Sequence, residues 1–196
     1  MTATGSRATV RRHPERVLPL PESAEEILAR ALVAHVGTVQ DGQPYVIPFT
    51  FLYRDERVYL HGAHASSTMK RLASGSPVCV EVTLVDALIA SKSAESHSVN
   101  YSSVVLFGRG QVVRDEPRRR EILTALISRY FPGRAAGEHY APITDGESKA
   151  TMLVEVIVEE VSAKGREGGP RGDFDADPAV PGDARIVPIE QGFRQS

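Results

Sequence analysis

The densest run of side chains able to hold a ligand is His61-Gly-Ala-His64-Ala-Ser-Ser-Thr-Met-Lys70. Its pattern predicts a strand that ends at Gly62 and a helix capped by Ser66 or Ser67. Met69 and Leu72 face inward on that helix, and Gly75 ends it. A helix N-terminus presents free N–H groups and a partial positive charge, which suits a phosphate. Ser66, Ser67 and Thr68 add hydroxyl donors and Lys70 adds charge. The same residues also read as an ordinary capped helix after a loop. His61 and His64 lack an evident third partner, so no metal site is expected. Axial ligation of a haem by His35, His61, His64 or His97 stays open.

Other reactive types are poorer candidates. Cys79 sits in an alternating strand without a low-pKa setting, and reads as an inert thiol. As the single cysteine, it excludes an internal disulfide and a Cys-rich metal site. Arg118-Arg-Arg120 lies between Glu116 and Glu121 near a helix start, and reads as a solvated face. Asp145 and Glu147 fall in a loop with nothing to mark an acid–base pair. There is no GxGxxG after the first strand, and no GxxxxGK[ST], HExxH or GxSxG. A net charge of −2 gives no pull toward nucleic acid or anionic lipid. No apolar run approaches the roughly 18 residues of a membrane span. The N-terminus lacks the apolar stretch of a secretory signal. A cytoplasmic location is the default.

The elements that must position these residues are mostly short strands. Residues 1–22 read as a basic, proline-containing arm. Ser23 and Glu26 form a capping box for a short helix. Residues 33–39 and 44–53 read as strands joined by an Asp41-Gly42 hairpin turn. Pro48 implies an edge, a bulge or a ligand-facing position. Residues 57–62 form a third strand. Residues 77–85 alternate with Val78, Val80, Val82 and Leu84 on one face, and residues 87–91 extend them. Residues 92–101 are polar, and 102–113 form a long strand. Asp115 caps a helix with Ile122, Leu123, Leu126, Ile127 and Tyr130 inward. An irregular stretch follows, then a last strand over 151–164. About six strands with two or three short helices make a mainly β, antiparallel barrel over residues 23–165. Residues 166–196 are a Gly/Pro/Asp-rich tail, loose or draped over a partner.

The segments VGTVQDGQPYVIPFTFLYRDERVYLHGAHASS, VCVEVTLVDALIASKSAESHSVNYSSVVLFGRGQVV and KATMLVEVIVEEVSAKGREGGP occur in that order. They resemble the pyridoxamine 5′-phosphate oxidase-like flavoproteins, in the branch of the nitroimidazole-resistance-type proteins. The resemblance implies a six-stranded split β-barrel, a homodimer, and FMN in a cleft between protomers. It implies an FMN-dependent oxidoreductase acting on a small aromatic, nitro or quinone-like molecule. It places Val46, Pro48 and Thr50 along the flavin ring, and His61, Gly62 and Ala63 at its edge. Ser66, Ser67 and Lys70 would face the phosphate, and Asn100, Tyr101 and Ser102 would close the pocket across the dimer interface. Relatives commonly carry arginine where this chain has Ser67 and Ser102. A hydrogen bond to a charged group contributes about 1.5–3 kcal/mol. The two serines therefore motivate an alternative, a diverged barrel that binds haem or another small ligand, or works without a cofactor.

Overall fold

The computed structural model describes residues 7–189. Alternation of apolar and polar residues builds one antiparallel sheet, in the order β2-β1-β5-β6-β7-β4-β3, with β8 also paired to β5. β1 (Ala34–Gln40) and β2 (Gln43–Phe49) are joined by the expected turn, with positive φ at Asp41 (52°) and Gly42 (78°). β2 is an edge strand, which explains why Pro48 is tolerated in it. β3 (Leu52–Arg54) and β4 (Arg57–Ala63) form the next hairpin. The long strands β5 (Pro77–Ala90), β6 (Ser98–Val112) and β7 (Thr151–Arg166) form the middle of the sheet. Val78, Val80, Val82 and Leu84 are all buried, so the face read from their alternation is the core face.

α1 (Glu22–Arg30) and α2 (Ser67–Ala73) cover one end of that core. α3 (Glu116–Tyr130) lies on the other side and buries Ile122, Leu123 and Leu126 against Tyr59 and Leu153. Asp115 caps it as expected, accepting from the N–H of Arg118 at 2.9 Å. β6 must pass close to its neighbours. A Cβ on Gly110 would lie 2.1 Å from the carbonyl oxygen of Leu72, and one on Gly108 2.0 Å from that of Ile157. Only glycine fits at either position.

Several expectations change. There are eight strands among the described residues, not about six. The run 44–53 breaks at Thr50-Phe51 because Phe51 turns fully into the core. Its N–H then leaves the ladder and donates to the Tyr130 hydroxyl at 3.0 Å. The capping box at Ser23 does not form. Pro21, with φ −87°, already sits near helical geometry, so the helix begins at Glu22. A capping box does occur where none was expected, at Thr144 and Glu147 of α4 (Asp145–Ala150). Asp145 and Glu147 are thus helical, with Glu147 holding the cap and Asp145 paired to Arg120. β6 starts at Ser98, inside the polar stretch.

The termini also differ. Residues 185–188 form β8 (Arg185–Pro188) on the chain's own β5, so this part of the tail is paired and not loose. β1 pairs with the first half of β5 and leaves the second half of that edge open for β8. The arm runs along β7. Arg7 bonds Glu160 at 2.6 Å and Glu159 at 2.9 Å, and Leu18 donates its N–H to Ala163 at 3.0 Å. Arg118, Arg119 and Arg120 are not a solvated face. Arg118 donates to Tyr59 and to buried Glu155, while Arg119 reaches the carbonyls of Ser148 and Thr151. Arg120 reaches Ile143 and Asp145, so the three arginines tie α3 to the sheet and to α4.

Candidate functional site

β4 carries Tyr59 and His61 on one face, with Val58 and Leu60 on the other. Tyr59 is covered by α3, whereas His61 stands just beyond that packing and opens into a cleft of 610 Å³. The cleft is bounded by Leu123, Leu126, Ile127, Tyr130 and Phe131 of α3 and its end, and by Ala141 and Ile143 of the following segment. Thr50, Glu147 and Thr151 complete it. Its size lies within the range of about 300–1,000 Å³ usual for small-molecule and cofactor sites. The wall is rigid. Arg129 of α3 donates to the carbonyls of Leu28 and Ala31 at 2.7 and 2.5 Å, capping the C-terminal end of α1. Its guanidinium also stacks 4.7 Å from the Phe51 ring.

His61 Nδ1 is buried and has no hydrogen-bond partner among the described residues. Burial lowers the imidazole pKa below its ordinary value, so the ring is neutral near pH 7. The other histidines named from sequence differ. His35 lies beside Glu81 on the surface at 3.4 Å. His64 is exposed, and exposed His97 contacts the carbonyls of Ser93 and Ala94 at 3.3 Å. Only His61 of these four combines an apolar cleft with an unpartnered ring nitrogen. The half-buried Cys79 has a raised pKa, from burial and then from Glu81, and remains a thiol.

A second cleft, of 420 Å³, opens between α1 and the starts of the long strands. Asn100, Tyr101 and Ser102 line it together with Leu18, Ile27, Arg30 and Arg166. A third, of 330 Å³, lies beside β2 and includes Tyr45, Val46, Val78 and Phe107.

The residues singled out from sequence therefore fall into separate places within one chain. Thr50 and His61 share the first cleft, and Asn100, Tyr101 and Ser102 share the second. Val46 lines the third, and Pro48 is exposed on the same strand. Gly62 packs against Met69, Ala63 is exposed, and Ser66 accepts from the N–H of Met69 as the cap of α2. Ser67 and Lys70 are exposed on α2. The aliphatic wall of the first cleft was missed as a site because those positions read as ordinary core of α3. Arg166 was missed because it lies two residues past the expected end of the last strand.

A family model described as pyridoxamine 5′-phosphate oxidase matches residues 21–165. The chain belongs to this family of split β-barrels. The flavocytochrome Anf3 from Azotobacter vinelandii is 31% identical, with a TM-score of 0.87, over 99% of this chain and 89% of that one. An FAD- and haem-binding protein from Mycobacterium smegmatis is 30% identical, with a TM-score of 0.78, over 89% and 85% of the two chains. A candidate 5-nitroimidazole antibiotic resistance protein from Bacteroides thetaiotaomicron shares the fold at 22% identity and a TM-score of 0.64, over 77% and 90%. No curated protein matches the chain. Among the described residues, no helix is long and apolar enough to cross a membrane, and no group of three or more His, Cys, Asp or Glu is placed to hold a metal ion.

Proposed function

We propose that this chain is a redox protein that binds a flavin, FAD, together with a noncovalently held haem. The observation that carries the reading is His61, a half-buried neutral imidazole that lines an apolar cleft of 610 Å³. An imidazole nitrogen is the donor type a haem iron takes, and an apolar wall suits a macrocycle. Covalent attachment through a Cys-x-x-Cys-His motif is excluded by the single cysteine. The likeness to two proteins named for flavin and haem, over 99% and 89% of this chain, supports the same pair of cofactors here. FMN, implied by the wider family resemblance, is the alternative flavin.

Haem and flavin would supply one- and two-electron chemistry, which protein side chains lack. The chain contributes position and environment. His61 fixes one ligand on a strand, which holds geometry better than a loop. Leu123, Leu126, Ile127 and Phe131 give the cleft an apolar wall. An oxidoreductase acting on a small aromatic, nitro or quinone-like molecule fits this assignment. A homodimer is part of the reading. Val39 and Val46 are 61% and 63% exposed near the β1–β2 turn, beside Tyr45 and the third cleft, which leaves apolar surface for a second copy.

The test is reconstitution of the purified chain with haemin and with FAD or FMN, followed by absorbance. A Soret band with flavin absorbance is expected for the wild type. His61→Ala should lose or shift the Soret band while retaining flavin. An unchanged Soret band in His61→Ala would remove His61 from the site.

A further inference from the structure

β7 does not lead directly into β8. Residues 167–184 cross the end of the sheet between them without helix or strand. This strap has a glycine near each end, with φ 130° at Gly168 and 102° at Gly182, a region that other residues rarely adopt. Its middle is held at one carboxylate. Asp175 accepts from the Ser91 hydroxyl at 2.8 Å, the Lys92 N–H at 2.7 Å and the Gly172 N–H at 2.6 Å. The Lys92 ammonium donates to the Asp177 carbonyl at 2.7 Å. The fit is close, since a Cβ on Gly172 would lie 2.5 Å from the Ser91 Oγ and 2.6 Å from the Ser93 Oγ.

Ala87 and Ile89 of β5 are buried, yet they fall outside the two apolar clusters that α1, α2 and α3 help to form. Ser91, two residues after Ile89, and Asn100, paired opposite Ala87, lie on the same face and flank this apolar strip. The strap holds both flanks, Ser91 through Asp175 and Asn100 through its Nδ2 on the Gly168 carbonyl at 3.0 Å. β8 then closes the edge of β5 from Ala87 to Ala90. The four side chains of β8 are all exposed, so its docking rests on ladder hydrogen bonds and on the strap, not on apolar burial of its own. Segments with few buried apolar contacts open at lower free energy than the core.

We propose that residues 167–189 form a gate, hinged at Gly168 and latched at Asp175, that opens as one unit while the barrel stays folded. Closed, it covers the strip of Ala87 and Ile89 and occupies the β5 edge. Open, it leaves that strip bare beside an unpaired strand edge, on which another strand can pair. Opening also reaches the second cleft. Glu167 lines that cleft, and the Ile189 N–H donates to the carbonyl of Asp86, which lines it too, at 2.9 Å. The gate depends on neither the flavin nor the haem reading.

The experiment is hydrogen–deuterium exchange of the full chain at neutral pH, read by peptide mass, for wild type, Asp175→Ala and Gly172→Val. In the wild type, residues 167–189 and the β8-facing amides of 86–91 should exchange together. They should do so at least about tenfold faster than residues 78–84 and 104–112 of the barrel. Asp175→Ala removes hydrogen bonds to a charged group, and should speed the first two regions about tenfold or more while leaving the other two unchanged. Gly172→Val keeps the carboxylate and crowds Ser91 and Ser93 instead, and should act in the same direction. Protection that persists at 86–91 while 167–189 exchanges would overturn the proposal, because β8 would then stay docked without the strap. So would exchange of all four regions as one unit, in the wild type or in both variants. Two variants that match the wild type would overturn it as well.

Discussion

His61 shows how one residue's chemistry is set by what surrounds it. A histidine on an exposed strand would titrate near pH 6.5. Here burial disfavours the imidazolium, so the folded-state pKa is lowered. The sign follows from linkage. The unfolded chain binds the proton more readily, so the stability contributed by neutral His61 is complete above the unfolded pKa. It is lost as pH falls toward the lowered value. An NMR titration of the His61 ring protons should give a midpoint below about 6.5. A midpoint at or above that value would show that the ring is solvated. On the proposed reading, in which His61 holds a haem, acidification should likewise release it, when the ring nitrogen takes up a proton. Ser102 makes the complementary point, because only its neighbours reveal that its hydroxyl lacks a partner.

The elements explain why the clefts keep their shape. α3 is fixed at both ends, by Arg118 on Tyr59 and Glu155 near its start and by Arg129 on α1 at its finish. β6 is the strand against which the sheet and α2 close, and it has no room for a side chain at Gly110. Gly110→Ala would set a methyl group 2.1 Å from the Leu72 carbonyl oxygen. Either α2 or β6 must then move. A loss of about 2–3 kcal/mol or more in denaturant unfolding is expected. A change below about 0.5 kcal/mol would mean that α2 is free to shift. Gly108 and Gly110 stand two residues apart in the sequence of β6, so the pair itself is visible there. The reason for it was not, because the carbonyls it admits come from residues 38 and 49 positions away along the chain.

For the whole molecule, the open question of assembly falls on the β2 edge. Tyr45 and Val46 are exposed there, on a strand paired on one side only, and Val39 of β1 is exposed nearby. Such an edge needs a cover or a charge to prevent unwanted pairing. Sedimentation of the purified chain at micromolar concentration should give a dimer, and Val46→Lys should shift it toward monomer. A monomeric wild type would exclude the homodimer.

The sequence by itself determined the antiparallel β architecture, the first hairpin, the core face of β5 and the caps of α2 and α3. Each depends on local periodicity or on a cap residue and the backbone it holds, and both are written within a few positions of the chain. Family membership was also legible, because ordered segments along most of the chain carry it. The tertiary structure alone decided where Phe51 breaks a strand, where residues 185–188 dock, and how Arg118, Arg119 and Arg120 are used. It also decided which of the named residues share a cleft within one chain, and which of four candidate histidines lines the cleft beside α3. Those outcomes depend on burial and on partners far away in sequence, and a side chain's neighbours across a sheet leave no mark on the residues beside it in the chain.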